Sequence, residues 1–147
     1  MKIDGQYTFQ VPREKLWELL NNPEVLQRVS PGIKQLELVE PDKYNAIAEV
    51  KMGPVKGKFK GTLEVTDKVE LERFTMTSKL KGTIGSATAV SNISLAPDGD
   101  GTTVTYEADA KLTGMMATMG QRLVSGAAKS MTDEFFSSLE QELANAS

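Results

Sequence analysis

Apolar and polar positions alternate from the start of the chain. Ile3, Gly5, Tyr7, Phe9 and Val11 take every second place, with Lys2, Asp4, Gln6, Thr8 and Gln10 between them, which is the period of a half-buried strand. Pro12 stops the alternation and suits the opening of a helix, where its missing N–H would find no partner anyway. PREKLWELLN then places Leu16, Trp17, Leu19 and Leu20 on one broad face, Asn22-Pro23 breaks that helix, and EVLQRV forms a second short one before Pro31-Gly32. From Ile33 onward strands follow one another, with turn chemistry at Pro41-Asp42-Lys43, Gly53-Pro54, Asp67, Lys81-Gly82 and Pro97 to Gly101.

Within these strands the rows are clean. Tyr44, Ala46, Ala48, Val50 and Met52 share one side, and Val55, Gly57, Phe59, Gly61, Leu63 and Val65 form the next inward row. Phe74, Met76, Ser78 and Leu80 follow, then Val104, Tyr106, Ala108, Ala110 and Leu112, each row opposed by polar and charged neighbours. One face of an antiparallel sheet is therefore wet and the other covered. The cover is predicted at the end of the chain, where Met119, Leu123, Ala127, Met131, Phe135, Leu139 and Leu143 recur every four residues along a helix of roughly 25 residues. Such a spacing drifts slowly around a 3.6-residue helix and winds with a twisted sheet. The expected order is strand, two short helices, about six strands and a long helix. Neither a repeat nor a boundary divides it, so residues 1–147 read as one α+β domain, a long antiparallel sheet gripping one terminal helix.

Composition narrows the chemistry. A net charge of −3 argues against a general nucleic-acid binder. No run of about 18 apolar residues is present, so no transmembrane span is expected, and MKIDGQYTF lacks the apolar stretch of a signal peptide. Cytoplasmic residence is the default expectation. Without histidine or cysteine, Ser-His-Asp chemistry, thiolate chemistry and the commonest metal ligands are excluded.

The order and spacing of several motifs resemble a known family across nearly the whole chain. They are Trp17 with Asn22-Pro23 and Leu26, Pro31-Gly32, Gly53-Pro54 with Gly57-Lys58-Phe59-Lys60-Gly61, and Gly82. Gly101-Thr102 through Tyr106, Gly114, Gly120-Gln121-Arg122 and Phe135-Phe136 complete the set. With them the chain is similar to the carbon monoxide dehydrogenase CoxG proteins of the START-like, or SRPBCC, superfamily. The resemblance implies a helix-grip fold: a curved sheet of about seven strands wrapped around the long helix, with two short helices after the first strand, around a lipophilic cavity. It also implies a role in maturation of a molybdenum-containing CO dehydrogenase, or in its attachment at the inner face of the membrane, and a bound quinone or lipid in place of a catalytic cofactor. Many relatives continue into a membrane-contacting tail, whereas this chain stops at Ser147, which argues against autonomous anchoring.

The candidate ligand-binding residues are Tyr7, Phe9, Trp17, Tyr44, Ala48, Phe59, Phe74, Met76, Tyr106, Ala108, Met116, Met119, Leu123 and Phe135. Small inward residues, Gly5, Ala46, Ala48, Gly57, Gly61, Ala87, Ala89, Ala108 and Ala110, either leave room for a ligand or mark bends and close helix packing. Met115, Met116 and Met119, between Gly114 and Gly120, either form a mobile apolar mouth or fill core space. Tyr7, Tyr44, Tyr106, Ser78 and Ser91 are the inward polar groups able to bond a ligand carbonyl. No carboxylate, lysine or arginine falls on the inward strand rows, so catalysis is not expected. A cyclase or dehydratase reading would require Arg122, or a register shift turning Glu107 and Asp109 inward. An assembly factor with a vestigial cavity is the third reading. Lys51, Lys56, Lys58 and Lys60 form a basic cluster that suits an anionic membrane or an acidic protein, or else simply keeps the sheet soluble and its edge unpaired.

Overall fold

The structure is a computed structural model that describes residues 1–52 and 54–145. Gly53 of the expected Gly53-Pro54 turn, the side chain of Met52, and Ser147 lie outside the described residues. The elements run β1 (Lys2–Phe9), α1 (Arg13–Leu20), α2 (Pro23–Val29), β2 (Ile33–Glu40), β3 (Lys43–Met52), β4 (Val55–Val69), β5 (Arg73–Gly82), β6 (Gly85–Asp98), β7 (Gly101–Leu112), α3 (Met115–Thr118) and α4 (Gln121–Asn145). The strands form a seven-stranded antiparallel sheet in the order β1-β7-β6-β5-β4-β3-β2, so β1 and β2 are its edges. This is the expected helix-grip arrangement.

Local chemistry explains the breaks. Pro12 sits at the N-cap of α1, one place ahead of its expected position. Asn22 caps α2 by accepting a hydrogen bond from the Glu24 amide at 3.0 Å, with Pro23 in the first turn where no donor is missed. Thr102 is fully buried and donates to the Val11 carbonyl at 2.8 Å, tying the exit of β1 to β7. Asp67 is a correction: it does not end a strand. β4 runs on to Val69, and the pairing with β5 shifts between Thr66 and Val69, with Asp67 at φ 52°. The turn-forming aspartate marks a bulge, where the ladder is locally disrupted and the strand continues.

The inward rows fall where the alternation placed them. Phe9, Tyr44, Ala46, Ala48, Phe59, Phe74 and Val104 are buried, while their sequence neighbours reach solvent. The core has two parts. The larger joins Phe9, Leu16, Leu19, Phe74, Leu95 and Val104 to Phe136, Leu139 and Leu143 of α4. The smaller, at the other end of the sheet, gathers Ala48, Phe59, Ile84, Met116 and Val124.

The stripe expected on α4 is corrected in detail. Its buried residues are Val124, Phe136, Leu139 and Leu143. Leu123 is 37% exposed, and Phe135 and Met131 are half-buried. A strict spacing of four advances about 40° per step around a 3.6-residue helix, so the stripe meets the core at Leu139 and Leu143 and has turned away from it by Leu123.

Candidate functional site

The two halves of α4 are held differently. Near its C-terminal end, Tyr7 Oη donates to Glu140 Oε2 at 2.6 Å, and the Arg28 guanidinium donates to both oxygens of Glu142 at 2.7 and 3.2 Å. There too the Phe136 ring stacks on Tyr7 with centroids 5.4 Å apart, and Phe9, Tyr106 and Phe135 surround it. The first half, by contrast, buries Val124 alone. It follows Gly114 and Gly120, both at positive φ (68° and 96°), which flank α3 and break the backbone on either side of it.

Between the middle of α4 and the sheet lies a partly enclosed apolar cavity of about 270 Å³. Leu63, Phe74, Met76 and Ile93 form its floor on the strands, Leu20 and Leu26 close one side from α1 and α2, and Met131, Phe135 and Phe136 roof it from α4. A second space of about 280 Å³, lined by Ile3, Ser91, Tyr106 and Ala108, shares Ile93, Met131, Phe135 and Phe136 with the first. An open cleft of about 800 Å³ runs along the first half of α4, between Glu49, Val50 and Lys51 on β3 and Met119, Leu123 and Gly126. Met131 borders all three spaces, so one flexible side chain stands between cleft and cavity.

The inner cavity is lined by two hydroxyl residues, Ser30 and, more deeply buried, Tyr44. The Tyr44 side chain is only 5% exposed and lines the cavity, and its hydroxyl makes no hydrogen bond among the described residues while keeping contact with open space. Burial, and secondarily the Asp42 carboxylate, raise its pKa above the ordinary phenol value, so it remains a neutral donor at neutral pH. Tyr106 is likewise shifted upward, first by burial and then by Asp133. Tyr7 is raised chiefly by its bond to Glu140, and that bond occupies its hydroxyl on the helix.

The candidate residues divide by place. Tyr44, Phe74, Met76 and Phe135 line the inner cavity, Tyr106 and Ala108 the adjoining space, and Met119 and Leu123 the outer cleft. Trp17 stands edge-on to Phe74 with centroids 5.8 Å apart, one layer behind the cavity wall. Tyr7 and Phe9 belong to the main core, while Ala48, Phe59 and Met116 pack in the smaller cluster. Met115 is 51% exposed at the predicted mouth.

Small residues do not make the cavity. Among the described residues, no glycine or alanine lines the inner space, and a side chain at Gly61 would collide with the Lys79 carbonyl, one at Gly57 with Ile84. These glycines allow close approach of strand and side chain, which was the alternative reading. Sequence reasoning missed Phe136, Met131, Leu63 and Ile93 as wall residues, although Met131 lay on the helix stripe and Phe136 within a family motif. Glu107 and Asp109 point outward, and Arg122 is exposed on the cleft rim, outside the inner cavity.

The family model for the CoxG component of carbon monoxide dehydrogenase matches residues 5–144. The chain belongs to the CoxG family. None of the curated proteins matches this CoxG-family chain by sequence. Among solved structures it is similar to a conserved protein from Geobacillus kaustophilus, at 31% identity and a TM-score of 0.95, covering 99% of this chain and 97% of that one. A START superfamily protein from Mycobacterium smegmatis superposes with a TM-score of 0.76 at 14% identity over 99% of both chains. The Zhui aromatase/cyclase from Streptomyces sp. R1128 does so with 0.74 at 9% identity, over 98% of this chain and 93% of that one. These last two share the fold alone. CoxG membership and the START-like fold together suggest a domain that binds a hydrophobic ligand, and the family name suggests association with CO dehydrogenase. Among the described residues, no helix is long and apolar enough to cross a membrane.

Proposed function

We propose that this chain is a non-catalytic carrier that holds a quinone-like or lipid-like molecule in the inner cavity and serves a CO-dehydrogenase-type molybdenum hydroxylase, in its maturation or its recruitment to the membrane. The observation that carries the reading is the partly enclosed apolar cavity with two hydroxyl residues on its wall, Ser30 and the buried Tyr44, neither of whose side chains makes a hydrogen bond among the described residues. Specific small-molecule sites combine apolar walls with few, well-placed polar groups. Apolar burial, at about 25 cal/mol per Å², would supply the affinity and Tyr44 the orientation. A ligand would pass along the outer cleft and displace Met131, on the half of α4 that is less firmly packed. Apart from Tyr44, no ionisable residue among the described ones lines the inner cavity, which speaks against the cyclase or dehydratase reading.

The chain's single tryptophan provides the test, because Trp17 touches Phe74 on the cavity wall. Titration with a short-chain menaquinone or ubiquinone analogue is expected to quench its fluorescence to saturation at one site, with long-chain fatty acids competing. Unsaturable quenching, with no competitor effect, would move the assignment to an assembly factor with a vestigial cavity.

A further inference from the structure

The outer face of the sheet, opposite α4, is sorted by charge. Strand register sets Lys51 directly across from Lys56, and Lys60 directly across from Lys81. Lys58 lies between these pairs on β4, while Lys79 and Lys111 each face Thr88 from opposite sides. Seven of the chain's 17 lysines and arginines thus stand at one end of one face with two carboxylates, Glu49 among them and Asp109 beside Lys111 at their border. The rest of the chain keeps ten cations against eighteen of its 20 carboxylates. Lys56 pairs with Glu49, and the other six lysines are exposed and make no ion pair among the described residues. Toward the β1 edge, Asp4 stands across from Glu107 and Lys2 across from Asp109.

Edge protection does not explain Lys60, Lys79 and Lys81, which lie on interior strands paired on both sides, whereas Lys51, Lys56 and Lys58 precede the pairing of β4 with β5 or follow that of β3 with β2. Solubility does not require this cluster either, since like charges directly opposite one another destabilise a sheet, whereas interleaved signs would dissolve it equally well.

We infer that this lysine face is a docking surface for the acidic face of a partner protein, held by charge complementarity around the exposed Ile47, which lies directly opposite Lys60. A protein suits the face better than a bilayer. All nine aromatic residues are buried or half-buried, so none stands among the lysines as an interfacial anchor. The exposed Met115 and the cleft residue Leu123 belong to α3 and α4, on the covered side of the sheet.

The test is zero-length carbodiimide coupling, which joins a lysine amine only to a carboxylate in contact with it, applied to the full chain in its own cells. Lys58, Lys60 or Lys81 is expected to be coupled to Asp or Glu of one protein. Coupling through the unchanged Lys51, Lys79 and Lys111 of the same face should fall about tenfold in K58E/K60E/K81E and return when the coupled carboxylates of that protein are changed to lysine. Purified K58E/K60E/K81E should melt no lower than the parent. Coupling no greater than at Lys15, Lys68 and Lys129, or coupling mainly to a second copy of this chain, would overturn the proposal. So would co-sedimentation of the parent, but not the variant, with phosphatidylcholine vesicles holding roughly one third phosphatidylglycerol at about 0.15 M salt, which would make the face a lipid surface instead. The ligand-carrier reading is tested separately and does not depend on this outcome.

Discussion

Replacing Tyr44 by phenylalanine should change stability and ligand binding in opposite directions. The side chain is 5% exposed, and its hydroxyl has no protein partner among the described residues. A hydroxyl taken from water without a hydrogen bond costs about 1–3 kcal/mol, discounted here because the oxygen still touches cavity space that water or ligand can fill. Its removal deletes no packing atom of the ring. Empty Tyr44→Phe is therefore expected to be as stable as the parent or up to about 1 kcal/mol more stable, a rise in Tm of roughly 0–4 °C for a domain of this size. The same change removes one of the two hydroxyl donors that line the inner cavity, leaving Ser30. A neutral hydrogen bond contributes about 0.5–1.5 kcal/mol net, so Kd for a quinone analogue should rise about 2- to 12-fold. Thermal denaturation and Trp17 fluorescence titration of the same preparations measure both quantities. Destabilisation by more than about 1 kcal/mol would mean the hydroxyl has a structural partner, and unchanged affinity would remove Tyr44 from the ligand site; either result refutes the reasoning.

Other consequences follow from the helix and its anchors. Gly126 stands mid-helix in α4 with open space around it, so Gly126→Ala should stabilise the chain by about 0.5–1 kcal/mol in urea denaturation. Gly85, at φ 129°, has no room for a side chain against the Thr113 carbonyl, so Gly85→Ala should cost more than about 2 kcal/mol by the same measurement. Hydrogen exchange should be faster over residues 115–127 than over 136–143, because the second segment holds Phe136, Leu139 and Leu143 and both anchors to Tyr7 and Arg28. The Glu142 pKa is lowered first by its hydrogen bond to Arg28, so the stability it adds is present above the ordinary glutamate value and is lost as pH falls through the depressed one. Glu142→Gln should accordingly flatten the acid limb of a stability profile taken between roughly pH 6 and pH 3.

The sheet was legible because a strand's period of two leaves little choice: a residue such as Phe59 or Val104 points inward, or its whole strand is out of register. Asp67 misled because aspartate favours positive φ in turns and bulges alike, and only the pairing of β4 with β5 separates the two. The chosen face of α4 was partly right. Leu139 and Leu143 fit any spacing of four, but the core also needs Phe136 and Val124, which a spacing that mixes threes and fours would have found. The cavity was the least legible part. Its space arises from how the Phe136 cluster and the Tyr7 and Arg28 bonds hold α4 over large side chains such as Leu63 and Met76. Of the alanines and glycines that composition singled out, Ala108 borders only the adjoining space, and Gly57 and Gly61 allow close packing. The lysine cluster was visible as a run of four, yet its meaning depended on β4 being interior and on Lys79, Lys81 and Lys111 joining it through the register.

Native mass spectrometry of the chain purified without detergent, followed by solvent extraction of whatever it carries, tests the carrier assignment most directly. The account predicts an apolar adduct at near-unit stoichiometry, quinone-like or lipid-like on extraction, which Leu63→Trp, filling the floor of the inner cavity, displaces without unfolding the protein. A chain that arrives empty, and takes up neither added quinones nor lipids, would contradict it.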